Sequence, residues 1–234
     1  MDQMKNAADI RVLIPAFNVE QYIGKVISGV SIYIPVDRIL VVNDGSTDKT
    51  GEITREYQVK MISHERNQGK GAALKHGFDY LMGERAQWII TIDGDMQHDP
   101  GIIPEFIDKI STERYDLIIG SRNISGSSMP WDRRFSNWST SKLLSLLCKQ
   151  TIRDSQCGYR AIRTSFLKGL HFLSSRYEFE TELLLKLASK SARIGWVDIP
   201  TDYHGSHSSI NRLTDTARFL EVVVKHIWEE WKKN

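Results

Sequence analysis

The chain has 234 residues, of which 41% are hydrophobic and 26% charged, ordinary values for a globular protein with a sizeable core. Its 31 Lys and Arg residues against 29 Asp and Glu residues give a formal net charge of +2, which argues against nucleic-acid binding through bulk charge. No apolar run approaches the roughly 20 residues that cross a bilayer, the first ten residues lack the apolar core of a secretory signal, and two cysteines are too few for a disulfide framework. We therefore expect a cytoplasmic protein with reduced thiols.

Short apolar runs alternate with amphipathic stretches in the first half of the chain. The runs predict strands at residues 10–14, 38–42, 59–63, 87–92 and 115–119, and the stretches between them predict helices at 19–31, 47–57, 70–82 and 100–110. Strands rich in Ile and Val without polar alternation are typical of burial on both faces, and alternating strands and helices predict an α/β fold with a mostly parallel central sheet and flanking helices. Ligands of such sheets bind beyond the carboxyl ends of the strands.

The second half is less regular and more basic. It contains predicted helices at 131–149, 178–190 and 214–232 and a predicted strand at 193–199. Residues 122–163 carry eight basic and two acidic residues, which fits either contact with an anionic membrane surface or a core-packed helix with a solvated face. Trp228 and Trp231 fit either contact with a membrane surface or ordinary packing of the last helix on the core. Glu178 and Glu180 lie at the start of another predicted helix, where we favour helix capping over acceptor binding.

The residues after the first two predicted strands combine turn formers with possible ligands. Pro15 lacks a backbone N–H and is predicted to end the first strand, and Phe17 can stack on a planar base. Glu20 is a candidate helix cap or ligand. Asp44 lies in a turn sequence, and its carboxylate can also accept hydrogen bonds from a base or a ribose.

Two further motifs point to phosphate and metal chemistry. Lys70 lies between two glycines at a predicted helix start, where backbone amides favour anions, although the spacing is not that of a P-loop. Asp93 and Asp95 directly follow a buried strand. Two carboxylates there repel each other unless a cation offsets them, and hard oxygen ligands suit Mg²⁺ or Mn²⁺. A capped loop explains Asp99 but not this pair, so we favour a metal site.

The ordered set of motifs resembles the family 2 glycosyltransferases of the GT-A fold, from about Ile10 to Ile162. The motifs are Pro15-Ala16-Phe17-Asn18, Asn43-Asp44-Gly45-Ser46, Gly69-Lys70-Gly71-Ala72 and Asp93-Gly94-Asp95. Within that family the chain looks most like the polyprenyl-phosphate sugar transferases of the dolichol-phosphate mannosyltransferase type. That narrower likeness lies in Asp95-Met96-Gln97-His98, Gly120-Ser121-Arg122 and Asp154-Ser155-Gln156-Cys157-Gly158-Tyr159-Arg160.

The resemblance implies a metal-dependent, inverting transfer of a sugar from a GDP- or UDP-sugar to a polyprenyl or dolichyl phosphate. It implies nucleotide-sugar contacts at Pro15, Phe17, Glu20, Asp44, Lys70, Asp93 and Gly94, and a Mg²⁺ or Mn²⁺ ion at Asp93, Asp95 and Gln97. It also implies catalytic roles for Asp95 and Arg122, and acceptor contacts at Arg122, Arg133 and Ser136. The resemblance further implies diphosphate contacts at His204 and His207, in a loop where the family often carries Arg and Lys.

The expected organisation is one catalytic domain over residues 1–234. Residues 10–120 would form the nucleotide-sugar-binding half, 121–213 the acceptor-binding half and 214–234 an amphipathic C-terminal helix. We expect peripheral contact with the cytoplasmic face of a membrane and no nucleic-acid partner. The alternatives are a transferase that uses a sugar hydroxyl on a glycolipid or polysaccharide, a nucleotidyltransferase, and a non-catalytic sugar-nucleotide-binding protein.

Overall fold

Seven strands form one mixed sheet in the computed structural model, which describes residues 8–122, 131–200 and 212–232, and only the backbone of 131–136, 212–215 and 230. The strands are β1 Ile10–Ala16, β2 Ile39–Asn43, β3 Lys60–Ser63, β4 Trp88–Thr91, β5 Leu117–Arg122, β6 Arg160–Arg163 and β7 Ile194–Ile199. Their order is β3-β2-β1-β4-β6-β5-β7, and four of the six pairings are parallel. The predicted mostly parallel sheet with flanking helices is confirmed.

Helices connect and flank these strands. They are α1 Ile23–Ser31, α2 Thr50–Glu56, α3 Lys70–Gly83, α4 Ile103–Ser111, α5 Trp131–Cys148, α6 Thr164–Leu167, α7 Phe179–Ser189 and α8 Arg212–Trp231, with short 3₁₀ turns at Val36–Arg38 and Pro100–Ile102. Within the described ranges, none of the helices combines the length and the apolar character needed to cross a bilayer.

Two helices start later than the sequence predicts. α1 begins at Ile23 instead of residue 19, and α2 at Thr50 instead of residue 47. The physical reason is that the two preceding loops bind each other. Ser46 Oγ accepts the backbone N–H of Asn18 at 3.0 Å, and Asn18 Oδ1 accepts that of Thr47 at 2.9 Å. Asn18 itself adopts a left-handed conformation with φ of 51°, as is common in turns.

The strand β6 is absent from the sequence-based prediction and is antiparallel to both of its neighbours, β4 and β5. Its four residues begin and end with Arg160 and Arg163, so no apolar run marks it. Arg160 is nevertheless 1% exposed. Its guanidinium donates to the carbonyl oxygens of Cys157, Ser155 and Glu180 at 2.7, 2.9 and 2.9 Å, and these bonds make a buried cation compatible with the core.

The helix α3 crosses β1 and β2 at close range. A Cβ atom added at Gly77 would lie 2.3 Å from Leu13 Cδ1, whereas one added at Gly83 of the same helix would meet nothing within 4 Å. Leu13 is fully buried, so its side chain has little room to move away. Glycine at residue 77 therefore sets the separation between helix and sheet.

We expect Gly77→Ala to lower the free energy of unfolding by about 1–3 kcal/mol, because the added methyl group overpacks the core. Gly83→Ala is the matched control and should raise it by up to about 1 kcal/mol through helix propensity. Urea denaturation of both variants checks this. Equal effects of the two substitutions would show that the α3–β1 contact is not tight.

Candidate active site

The Asp44 carboxylate is buried at the end of β2 and organises the loop that follows β3. It accepts the backbone N–H groups of Gln68 at 2.9 Å and Gly69 at 2.8 Å, and its Oδ1 lies 2.6 Å from His64 Nδ1. Gly69 has φ of +104°, and a Cβ there would lie 2.4 Å from the carbonyl oxygen of Ser175. Asp44 thus fixes the start of α3, while its predicted contact with a nucleotide stays a prediction.

The Glu20 carboxylate also binds protein backbone. Its Oε2 accepts the N–H of Lys49 at 2.9 Å, and its own N–H donates to Asp48 Oδ2 at 3.0 Å. Glu20 therefore supports the start of α2 rather than its own helix. Its predicted ligand role stays a prediction.

Three predicted nucleotide-sugar residues, Pro15, Phe17 and Gly94, lie where β1 and β4 end side by side. The prediction that Pro15 ends the first strand is wrong, because β1 continues to Ala16, which pairs with Asn43 of β2. A Cβ atom at Gly94 would lie 3.2 Å from the carbonyl oxygen of Pro15, so the two loops are in close contact there. Phe17 follows β1 with 44% of its surface exposed, so its side chain is partly open to solvent.

The Lys70 ammonium joins two carboxylates at the same edge of the sheet. Its Nζ lies 2.8 Å from Asp93 Oδ1 and 2.7 Å from Glu180 Oε1, so it links α3, the end of β4 and α7. Burial alone would lower the pKa of Lys70, but the charges of Asp93 and Glu180 outweigh it and raise that pKa well above the usual range. Lys70 is therefore a fixed positive charge beside Asp93.

The two aspartates after β4 differ in their electrostatics. Burial alone would raise the pKa of Asp93, but the positive charge of Lys70 holds it below its usual value. Burial raises the pKa of Asp95, and the negative charge of Asp93 adds to that rise. The ionised form of Asp95 therefore has little positive charge near it. A cation bound beside the two carboxylates would offset their repulsion.

The oxygen donors at this edge fit a divalent cation. Asp95 Oδ1 accepts the backbone N–H of Gln97 at 3.0 Å, which places the predicted third ligand next to the pair. Carboxylate and amide oxygens are the donors that Mg²⁺ and Mn²⁺ prefer. In the parts of the chain that the structure describes, no three His, Cys, Asp or Glu side chains are grouped to hold a metal, so the fit depends on Asp93, Asp95 and Gln97.

Gly158 and Glu180 are site residues to which sequence reasoning gave no role at this edge. A Cβ at Gly158 would lie 2.8 Å from Lys70 Nζ, 2.9 Å from Asp93 Oδ2 and 3.1 Å from Glu180 Oε1. The capping role favoured for Glu180 is wrong, because the side chain binds Lys70 and α7 begins without a side-chain capping bond. Only the position of Gly158 within the family-like motif could have drawn attention to it.

Arg122 ends β5 and is held by a buried carboxylate. Its Nε and Nη2 donate to Asp154 Oδ2 and Oδ1 at 2.6 and 2.9 Å, and Asn137 Nδ2 donates to the same Oδ1 at 3.2 Å. Burial alone would raise the pKa of Asp154, but the hydrogen bond and charge of Arg122 lower it. The guanidinium thus has a fixed orientation at the end of β5.

His98 and Cys157 are buried neighbours. His98 Nε2 is 4.0 Å from Cys157 Sγ. Burial lowers the pKa of His98, while the charge of Asp93 raises it and that of Arg122 lowers it. Burial raises the pKa of Cys157 to about 12, so its thiol stays protonated at neutral pH.

Four predicted site residues lie outside these contacts. Arg133 and Ser136 belong to residues 131–136 of α5, of which only the backbone is described. His204 and His207 lie outside the described residues. Their predicted contacts with acceptor and diphosphate stay predictions.

The order of the strands and the helices that flank them give the chain a GT-A-like fold. A crystal structure of glucosyl-3-phosphoglycerate synthase from Mycobacterium tuberculosis, in complex with Mn²⁺, UDP and phosphoglyceric acid, superimposes with a TM-score of 0.76. That similarity covers 94% of this chain and 78% of the other at 22% identity, and it establishes the fold.

Residues 11–170 match the family described as Glycosyl transferase family 2, and the chain belongs to that family. It is 35% identical to an uncharacterised protein of Methanocaldococcus jannaschii, over 93% of this chain and 99% of that one. It is 31% identical to the UDP-N-acetylglucosamine–dolichyl-phosphate N-acetylglucosaminyltransferase of Methanococcus voltae, over 83% and 86% of the two chains. The dolichyl-phosphate hexose transferase of Haloferax volcanii is 28% identical, over 95% of each. The expected family and enzyme class are confirmed.

We expect Lys70→Met to lower the free energy of unfolding by about 3 kcal/mol at pH 7, because Asp93 and Glu180 would lose the cation that they share. Lys75→Met, an exposed lysine of the same helix, is the matched control and should change it by less than about 0.5 kcal/mol. Urea denaturation checks both. Equal stability of the two variants would contradict the ion-pair cluster.

Asp154→Asn should lower stability at pH 7 by about 2 kcal/mol, because Arg122 would lose its charged partner. The native pKa of Asp154 is lowered, so its contribution is present above the unfolded pKa near 4 and is lost as the pH falls through the folded value. The variant should therefore lose less stability than wild type between roughly pH 5 and pH 2. Asp198→Asn, at an 82% exposed side chain, is the control. Parallel pH profiles for wild type and Asp154→Asn would refute the assignment.

Proposed function

We propose that this glycosyltransferase moves a sugar from a nucleoside-diphosphate sugar to a polyprenyl or dolichyl phosphate, with inversion and with a divalent cation. The observation that carries the proposal is the pair Asp93 and Asp95 at the end of β4, with the Lys70 ammonium 2.8 Å from Asp93 Oδ1. The names of the dolichyl-phosphate-using relatives support the acceptor class.

The cation would be held by Asp93, Asp95 and Gln97. When bound, a Mg²⁺ or Mn²⁺ ion supplies positive charge to the leaving diphosphate without proton transfer. That two structurally similar complexes contain Mn²⁺ or Mg²⁺ together with UDP supports this choice of cofactor. The proposal leaves open whether the donor carries guanine, as a GDP-sugar, or uracil, as a UDP-sugar.

Lys70 and Asp44 would prepare the donor site before the sugar nucleotide arrives. Lys70 fixes the orientation of the Asp93 carboxylate, because the ammonium contacts both of its oxygens, at 2.8 and 2.9 Å. Asp44 holds the loop before α3 through two backbone amides, so the Gly-rich helix start is rigid where a diphosphate would approach it.

Arg122 would orient the acceptor phosphate. A phosphate monoester is already anionic near pH 7, so the reaction needs no general base and depends on positioning instead. In the transfer, an acceptor phosphate oxygen forms a bond to the anomeric carbon as the bond from that carbon to the diphosphate breaks, and the nucleoside diphosphate leaves. Asp154 holds the guanidinium in one orientation for this role.

A panel of nucleotide sugars, incubated with polyprenyl phosphate with and without Mn²⁺, tests the proposal. We expect one donor to give a lipid-linked sugar only with the metal, and NMR of the product to show an inverted anomeric configuration. A product formed only on sugar hydroxyl acceptors would show that a sugar hydroxyl, and not a lipid phosphate, is the acceptor. Binding of a donor without transfer to any acceptor would favour a non-catalytic protein.

Asp95→Asn should abolish turnover and remove the Mn²⁺-dependent thermal stabilisation by nucleoside diphosphate, while the unfolding temperature without ligand stays within a few degrees of wild type. The substitution keeps the shape of the side chain and removes the charge that would bind the cation. Asp79→Asn, at an exposed position of α3, is the control. Full turnover of Asp95→Asn in metal-replete and chelated buffer would remove the metal from the mechanism.

A further inference from the structure

The C-terminal helix α8 has two apolar faces. The inner face, Phe219, Val222 and Val223, packs on the core beside α7. A second stripe recurs every three or four residues and is 48–70% exposed: Leu220, Val224, Ile227, Trp228 and Trp231. A helix that only covers a protein core needs one apolar stripe, so the second, which we call the outer stripe, requires another explanation.

The end of the outer stripe has the composition of a membrane interface. The rings of Trp228 and Trp231 lie 5.7 Å apart, and Lys232 Nζ lies 5.0 Å from the centre of the Trp228 ring. Indole rings prefer the boundary between lipid headgroups and acyl chains, and a lysine beside them can keep its ammonium among the headgroups. This end of α8 thus combines exposed apolar area with the cation of Lys232, beside the exposed carboxylate of Glu229.

The helix α5 exposes a second surface of the same kind. Trp138, Lys142 and Leu146 follow one another at helical spacing and are exposed, Leu146 by 75%. Lys149, also exposed, comes directly after the helix with a left-handed φ of 52°. The side chains of residues 137–149 are described, and among them Lys142 and Lys149 are the only charged ones. This surface, the α5 face, is therefore apolar and basic.

The two surfaces belong to neighbouring helices. Both α5 and α8 pack against α7, and Lys149 at the end of α5 and His226 of α8 line one cavity. The positive charge of the α5 face complements anionic lipid headgroups. A two-fold contact with a second copy would turn the same surface toward itself and bring Lys142 and Lys149 toward their own counterparts.

We propose that the outer stripe of α8 and the α5 face together bind the surface of an anionic lipid bilayer. The outer stripe lies among the headgroups and upper acyl chains, and the α5 lysines contact the anionic headgroups. This binding deepens the proposed function, since it brings the enzyme to the surface in which a polyprenyl phosphate is anchored. It does not depend on catalysis.

Vesicle co-sedimentation with the full chain tests the proposal, using phosphatidylcholine vesicles with and without phosphatidylglycerol. We expect wild type to bind, and Trp228→Ser/Trp231→Ser to bind at least about tenfold more weakly because the apolar area of two indole rings is lost. The double variant Ile32→Ser/Val36→Ser, which removes two exposed apolar side chains near the end of α1, is the matched control and should bind like wild type.

The charge contribution is tested separately with Lys142→Ser/Lys149→Ser. We expect this variant to lose about tenfold in affinity for the anionic vesicles, and little for the neutral ones, with the difference reduced by added salt. Circular dichroism and unfolding curves establish that each variant is folded. If the serine variant of the tryptophans is not folded, Trp228→Phe/Trp231→Phe replaces it and should keep binding while losing the part of the quenching by brominated lipid that does not come from Trp138 of the α5 face.

The proposal is overturned if wild type does not bind either vesicle, or if the tryptophan and control variants bind equally. It is also overturned if sedimentation velocity shows a dimer that the tryptophan variant alone dissociates while vesicle binding is unchanged. Failure of the proposed function gives a different pattern, because sugar transfer would then be missing with every acceptor while vesicle binding persists. If both hold, the tryptophan variant keeps its turnover on a short-chain acceptor in solution and loses it on vesicles.

Discussion

The arrangement of the candidate site depends on one buried ammonium shared by two carboxylates. Lys70 comes from the start of α3, Asp93 from the end of β4 and Glu180 from the first turn of α7, so the ion pairs connect parts of the chain that are distant in sequence. Each carboxylate would be costly to bury without this cation. The cluster therefore couples the folding of the sheet edge to the orientation of the carboxylate that would bind a metal.

The antiparallel strand β6 brings the second half of the chain to this edge. Because β6 lies between β4 and β5, the loop before it passes beside the ends of both strands. Thr91 Oγ at the end of β4 donates to the carbonyl oxygen of Gly158 at 2.7 Å. Asp154, in the same loop, binds Arg122 at the end of β5. One connection thus places the predicted donor residues and the predicted acceptor arginine on a common scaffold.

The sequence predicts the parts of this architecture that leave a local pattern. Apolar runs locate β1, β2 and β4, and polar motifs after each run locate the functional edge, because parallel strands end on the same side of a sheet. The ordered motifs also place the chain in its family. Glycines at residues 69 and 71 are visible in the sequence, yet their reason, the close approach of the segment at Ser175, is a tertiary contact.

Features that depend on long-range pairing leave no such pattern. β6 is missed because Arg160 reads as a surface residue until three carbonyl oxygens are placed around it. The role of Glu180 is missed because a carboxylate near a helix start is usually a cap, and only the fold brings Lys70 to it. The Asp44 carboxylate likewise looks available for a ligand until the amides of Gln68 and Gly69 are seen to bind it.

The formal charges at this edge bear on the need for a cation in the proposed reaction. The acids Asp93, Asp95, Glu180 and Asp154 outnumber the bases Lys70, Arg122 and Arg160 by one, and each of the three bases is already hydrogen-bonded within the protein. A nucleoside-diphosphate sugar and a phosphate acceptor both add negative charge to this edge. Fixed cations that are already paired orient anions better than they attract them. A divalent ion at Asp93 and Asp95 would supply the missing attraction. With that ion bound, the acidic pair is compatible with the two anionic substrates of the proposed reaction.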